Sequence, residues 1–134
     1  MSKEHKLQLA LILSSLIILG ILVFLSIPKY ESMTITHDGF NIVTQAKELK
    51  VEATAYCGDE ITSLGIKPTP YRTIAVDPKV IPYGSTVYIP EYKALFKAED
   101  TGSAIKGKRI DIFLSNEDEC KEFGRKNIRI YVLK

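Results

Sequence analysis

Two hydrophobic periods divide the chain. From Leu7 to Ile27 apolar residues run almost unbroken, interrupted only by Gln8, Ser14, Ser15, Gly20 and Ser26. A helix of about 20 apolar residues spans the hydrocarbon core of a bilayer, so this run predicts a transmembrane helix over 7–27. Lys3 and Lys6 precede it. Basic residues hold a short N-terminal segment on the cytoplasmic side, which places 1–6 inside and the rest of the chain outside. A secretory leader is the alternative. The exit Phe24-Leu25-Ser26-Ile27-Pro28-Lys29 lacks the small-residue cleavage pattern of a leader. The expectation is an uncleaved, single-pass anchor in the cell membrane.

The period then changes. Residues 28–48 are mixed and polar and read as a linker, with a short strand at Phe40-Asn41-Ile42-Val43. From Leu49 onward the chain alternates. Val51, Ala53 and Ala55 are separated by Glu52, Thr54 and Tyr56, a period of two. Further short strands are expected at Thr73–Val76, Thr86–Ile89, Ala94–Glu99, Arg109–Leu114 and around Ile128, Ile130 and Val132. Ser115 reads as the N-cap of a short helix, with Glu117, Asp118 and Glu119 in its first turn and Gly124 at its end. Six short strands and one helix over 49–134 predict a small, mainly β barrel domain.

Composition narrows the function. Eighteen Lys and Arg stand against sixteen Asp and Glu, spread along the chain, so nucleic acid is not the expected partner. The two histidines, His5 and His37, both precede the predicted domain. Ser-His and Cys-His nucleophile pairs are thereby excluded from it. Two cysteines without histidine supply too few ligands for a zinc site of the usual kind; no metal and no cofactor are expected. Cys57 and Cys120 read as a disulfide or as two buried thiols, and a Cys57–Cys120 bridge is the expectation taken forward. Carboxylates, hydroxyls, Lys and Arg remain for chemistry, an inventory suited to acid–base work on a sugar or a peptide bond.

The carboxylates sit in unusual places. Asp100 ends one predicted strand, Asp111 lies within another between Ile110 and Ile112, and Asp77 ends the apolar run Ile74-Ala75-Val76. Asp is disfavoured in strands and is almost never fully buried unless paired. Asp111 is therefore the candidate acid, because apolar surroundings raise a carboxyl pKa. Taken singly, Asp77-Pro78 and Asp100-Thr101-Gly102 read as turn formers.

The segments Thr54-Ala55-Tyr56, Thr73–Pro78, Val80–Pro90, Ala98–Gly107 and Arg109–Phe113 together resemble the 3D domain, a family named for three aspartates. They also resemble the C-terminal part of the membrane-bound lytic transglycosylase A family. The resemblance runs over 49–134 and implies a six-stranded double-psi β-barrel with Asp77, Asp100 and Asp111 as its aspartates. It implies cleavage of the glycan strand of peptidoglycan between N-acetylmuramic acid and N-acetylglucosamine, leaving a 1,6-anhydro-muramic end. One carboxyl group then serves first as acid and afterwards as base, which is the role expected of Asp111. Asp100 and Asp77 would orient or stabilise. Thr101, Gly102, Ser103, Lys106, Gly107 and Tyr56 would contact the substrate. Ser103 stands where the family usually has a second glycine. The chain is expected to act as a monomer.

Two rival readings remain. A wall-polysaccharide binding module of the expansin kind would hold the glycan without cleaving it. A dimeric aspartic protease would account for Asp100-Thr101-Gly102-Ser103 alone, leaving the contexts of Asp77 and Asp111 unexplained.

Overall fold

A computed structural model describes residues 3–26, 29–37 and 40–134. Helix α1 covers Lys3–Ser26. Its 24 residues make about 36 Å at the α-helical rise, more than the roughly 30 Å of a hydrocarbon core. Leucine and isoleucine side chains from Leu7 to Leu22 are exposed on every side of it. The helix is long and apolar enough to cross a membrane, a property that a signal sequence shares. Ile27, the last residue of the expected span, and Pro28 lie outside the described residues.

Seven strands follow: β1 (Glu31–His37), β2 (Phe40–Tyr56), β3 (Thr73–Val76), β4 (Thr86–Ile89), β5 (Ala94–Asp100), β6 (Arg109–Phe113) and β7 (Lys126–Leu133). Helix α2 (Glu117–Phe123) lies between the last two. The six strands expected over 49–134 are β2 to β7, and the segment read as a linker carries a seventh, β1, and the start of β2. The hairpin left little hydrophobic pattern for a physical reason. β1 and the first half of β2 pair as an antiparallel hairpin, from Glu31 opposite Ala46 to His37 opposite Phe40, but they bury little. Ile35 and Ala46 are buried, while Val43 is 73% exposed. Backbone pairing holds this hairpin, and backbone pairing leaves no hydrophobic period to read.

The remaining pairings close on themselves. β2 runs parallel to β6 through Glu52–Tyr56 and antiparallel to β7 through Ala46–Ala53. The order β2-β6-β3-β5-β4-β7 returns to β2, so six strands form a ring and β1 flanks it. Alternation points one residue in two to its interior. Val51 and Ala53, Ile74 and Val76, Val87 and Ile89, Phe96 and Ala98, Ile110 and Ile112, and Ile130 and Val132 fill it.

Helix α2 starts one residue later than expected. Asn116, not Ser115, is the N-cap, its side-chain oxygen accepting the Glu119 N–H at 3.0 Å. The Ser115 N–H instead donates to the Glu119 carboxylate at 3.1 Å. Gly124 ends the helix with φ +63°, a conformation suited to glycine.

Phe96 is fully buried with its ring edge-on to Tyr92 at 5.5 Å. Phe96→Ala is expected to cost about 3–5 kcal/mol of stability through lost burial and a residual cavity. A loss of unfolding free energy in urea of less than about 1 kcal/mol would show that the ring interior is not the stabilising core.

Candidate active site

The same alternation that fills the ring builds a site on its outer face. Ile110 and Ile112 point inward, so Asp111 points outward. Its cross-strand neighbours are Thr54 on β2 and Ala75 on β3. Thr54 Oγ1 donates to Asp111 Oδ1 at 2.7 Å. Ala75 is in turn opposite Asp100 on β5. The small side chain of Ala75, 4% exposed, thus forms the floor between two carboxylate-bearing strands.

Asp100 reaches this face through a β-bulge. Ile74 pairs with Ala98, but the next residue, Ala75, pairs with Asp100, leaving Glu99 as the extra residue. Ala98 belongs to the interior. Unbroken alternation would have turned Asp100 inward as well, and the bulge re-aims it. Glu99 is itself buried. Arg72 donates to both of its oxygens, at 2.7 and 3.1 Å, and Thr73 Oγ1 adds a third bond at 3.2 Å.

The two carboxyl groups are shifted in opposite directions. Burial pushes the Asp100 carboxyl up. The Ser63 N–H, the Tyr56 hydroxyl and the Thr101 N–H, each at 2.8 Å, outweigh burial and hold it below the ordinary aspartate range. At Asp111 burial dominates, the Thr54 bond opposes it, and the negative charges of Asp100 and Asp59 add to it, so its carboxyl lies above the ordinary range. The isoleucines beside Asp111 point away from it. Its raised proton affinity comes from burial on the outer face and not from those neighbours in sequence. The Tyr56 hydroxyl is raised by burial first and by its bond to Asp100 second, which keeps it a donor.

Asp77 stands just beyond β3. It accepts the Gly107 N–H at 2.7 Å and the Lys79 N–H at 3.0 Å, and these backbone bonds lower its pKa. It makes no hydrogen bond to Asp100 or Asp111 among the described residues. Its carboxylate ties the 101–108 loop to the end of β3 through Gly107, whose φ of +66° suits glycine. The loop closes over Ile105, which is buried; a Cβ at Gly102 would stand 3.3 Å from the Ile105 side chain. Thr101 Oγ1 is buried without a hydrogen-bond partner. Ser103 and Lys106 are exposed on the same loop.

Tyr56 enters as a ligand of Asp100, with its ring edge-on to Phe113 at 5.1 Å. Thr54, Ala75, the Ser63 N–H and the Glu99–Arg72 pair are site components that the sequence did not single out. Period two and the register identify Thr54 and Ala75, but only once the strand pairing is known. Cys57 and Cys120 are free thiols, and burial, then a hydrogen bond with Cys57, raises the Cys120 pKa to about 11. Among the described residues no group of three or more His, Cys, Asp or Glu side chains is placed to hold a metal ion.

A ring of strands whose outer face carries one carboxyl group with a raised and one with a lowered pKa defines a small β domain. Residues 72–134 match the family profile of the 3D domain, so this part of the chain is a 3D domain. The match includes Asp77, Asp100 and Asp111 and begins after Thr54 and Tyr56. The chain is 36% identical over 121 residues to the "Putative cell wall shaping protein YabE" of Bacillus subtilis, covering 81% of this chain and 30% of that protein. It is 42% identical over 96 residues to the "Cell wall-binding protein YocH" of the same species, covering 66% and 33%. The chain thus spans about a third of the length of these relatives. Among solved structures, Escherichia coli MltA with bound chitohexaose is similar over 71% of this chain and 31% of that one, with 21% identity and a TM-score of 0.48.

Carboxyl-detected NMR titration is expected to place Asp100 below and Asp111 above free aspartate. Tyr56→Phe removes one donor and should raise Asp100. The linkage signs are opposite. The depressed Asp100 stabilises above its unfolded pKa, and that stability is lost as pH falls through its folded pKa. The contribution of the raised Asp111 is full below its unfolded pKa and is lost as pH rises through its folded pKa. Coincident pKa values would remove the distinction between the two acids.

Proposed function

We propose that this chain is a membrane-tethered peptidoglycan lytic transglycosylase. The observation that carries the reading is the pair Asp111 and Asp100, set across Ala75 on one face with pKa values shifted up and down respectively. Two titratable groups pushed apart by their surroundings mark an acid and its partner. The 3D match and the names of the wall-associated relatives support the same substrate.

In the proposed reaction Asp111 donates its proton to the glycosidic oxygen as the C–O bond to muramic C1 breaks. Ionised Asp100 stabilises the positive charge that develops on the sugar ring. The Asp111 carboxylate then takes the proton from the C6 hydroxyl of the same sugar, whose oxygen attacks C1 and closes the 1,6-anhydro ring. No water enters, so one acid serves both half-reactions. Asp77 holds the 101–108 loop in place. Thr101, whose buried hydroxyl has no protein partner, Gly102, Ser103, Lys106 and Gly107 would line the glycan path.

In this reading the ring is a double-psi β-barrel, acting as a monomer. Segment 1–6 is cytoplasmic, 7–27 spans the membrane, and 28–48, which carries β1 and the start of β2, joins it to the ring of 49–134 facing the wall. A second reading, a wall-binding module without turnover, is favoured by the 42% identical relative, which is named a cell wall-binding protein. Incubation with purified sacculi and mass spectrometry of the released products separates the two. Anhydro-muropeptides are expected from the enzyme, and retention on sacculi without release from the module.

Asp111→Asn should lower that release by about 100- to 10,000-fold, the usual cost of losing a general acid, while a cooperative melt and sacculus binding persist. Asp100→Asn and Asp77→Asn should lower it less. Wild-type turnover in Asp111→Asn would sink the assignment of the acid.

Outside the membrane the adjoining Cys57 and Cys120 thiols are expected to oxidise to a disulfide. Closing a loop of about 60 residues would contribute about 4 kcal/mol. Thiol labelling of denatured, unreduced protein recovered from the cell surface checks this. Two reactive thiols would rule the bridge out.

A further inference from the structure

A cavity of about 350 Å³ lies apart from the aspartates, between α2, the β4–β5 turn and the segment that leads into β3. Besides Leu114, just after β6, four stretches of chain converge on it. Tyr71 comes from the segment before β3, Glu91 and Tyr92 from the turn, Glu119, Glu122 and Phe123 from α2, and Lys126 from the start of β7. Its walls are aromatic. The Tyr92 and Phe123 rings lie near-parallel at 17° with centroids 6.3 Å apart, and the Tyr71 ring stands 6.0 Å from Tyr92.

Its charge is unlike that of the whole chain. Three carboxylates and one ammonium line it, whereas the chain carries a net +2. The single ammonium also indicates what the walls accept. Lys126 Nζ stands 4.1 Å from the Phe123 ring centroid and 2.8 Å from Glu91 Oε1. One wall thus already holds a primary ammonium between a ring face and a carboxylate, the two attractions that recognise such cations.

Two groups at the cavity are unspent. Glu119 is occupied by the Tyr71 hydroxyl at 2.6 Å and the Ser115 N–H at 3.1 Å. The Tyr92 hydroxyl and the Glu122 carboxylate, by contrast, have no hydrogen-bond partner among the described residues. Burial, then the charge of Glu91, raises Tyr92 to about 12, so its hydroxyl stays neutral and can accept an N–H.

We propose that this cavity binds a primary ammonium on an aliphatic stem, the side chain of lysine or of another diamino acid within a peptide. The stem would lie against Tyr92 and Phe123, and the ammonium would reach Glu122 and the Tyr92 hydroxyl. A neutral sugar would find the rings but no counterpart for the surplus negative charge. The site goes beyond the proposed glycan chemistry and does not depend on turnover at the aspartates.

The test titrates the full chain in detergent micelles with Nα-acetyl-lysine amide, its Nε-acetylated analogue and chitotetraose, following the ring resonances of Tyr71, Tyr92 and Phe123 by NMR. Saturable shifts in the millimolar range, usual for a ligand making few contacts, are expected for the free amine alone. Glu122→Gln and Tyr92→Phe remove groups without a protein partner and should leave the melt unchanged. Each should weaken the amine by about three- to tenfold. Equal binding of the acetylated analogue, shifts with chitotetraose but not with the amine, or undiminished affinity in both variants would overturn the proposal. So would the absence of any saturation by the amine. Sacculus turnover is not a readout here, so failure of the enzyme reading leaves this result interpretable.

Discussion

One inserted residue decides where Asp100 points. Glu99 has no cross-strand partner opposite β3, and the rotation that it forces moves Asp100 from the interior phase of β5 to the outer phase. The extra residue is itself a carboxylate, and it is buried. A buried charge left unpaired costs several kcal/mol, so the bulge is tolerable only with its partners in place. Arg72 supplies a two-pronged bond from a half-exposed position, and Thr73 fills a further lone pair. Because the Arg72 side chain is 46% exposed, solvent screens the pair. Its importance lies in satisfying Glu99 more than in net attraction.

The second dependency is on β2. This strand of 17 residues pairs with β1, β7 and β6 in turn. Its inward residues, Val51 and Ala53, belong to the core. Its outward residues, Thr54 and Tyr56, donate hydrogen bonds to Asp111 and Asp100. The segment just after it delivers the Ser63 N–H to the same carboxylate. The three aspartates lie within 72–134, but the groups that make two of them chemically different come from before that boundary. The opposite shifts of the two aspartates are therefore a property of the closed ring and not of the aspartate motifs alone.

Much of this was legible in the sequence, for identifiable reasons. Strands with a buried face, such as Thr73–Val76 and Arg109–Phe113, carry a strict hydrophobic period and were read close to their bounds. The hairpin of β1 was not, because Thr34 and Thr36 are exposed and backbone pairing has no side-chain signature. Asp111 was singled out by its place between isoleucines. The direction of its shift agrees, but the cause is burial on the opposite face. The bulge at Glu99 had no signal, since period two across Ala98, Glu99 and Asp100 gives the wrong phase. The meeting of Cys57 with Cys120 depends on where α2 packs, which spacing along the chain does not encode.

Closing the ring has a further effect on how this domain can meet other chains. A sheet exposes unpaired backbone groups only at its edges. In this topology β2 to β7 each have partners on both sides over part of their length, and β1 has one partner, β2. The outer side of Glu31–His37 is therefore an edge on which a strand from another chain could add by backbone pairing. Glu31, Ser32, Thr34 and Thr36 are exposed there. Their polarity discourages indiscriminate stacking, and the edge itself lies on the hairpin, removed from the strands that carry the aspartates.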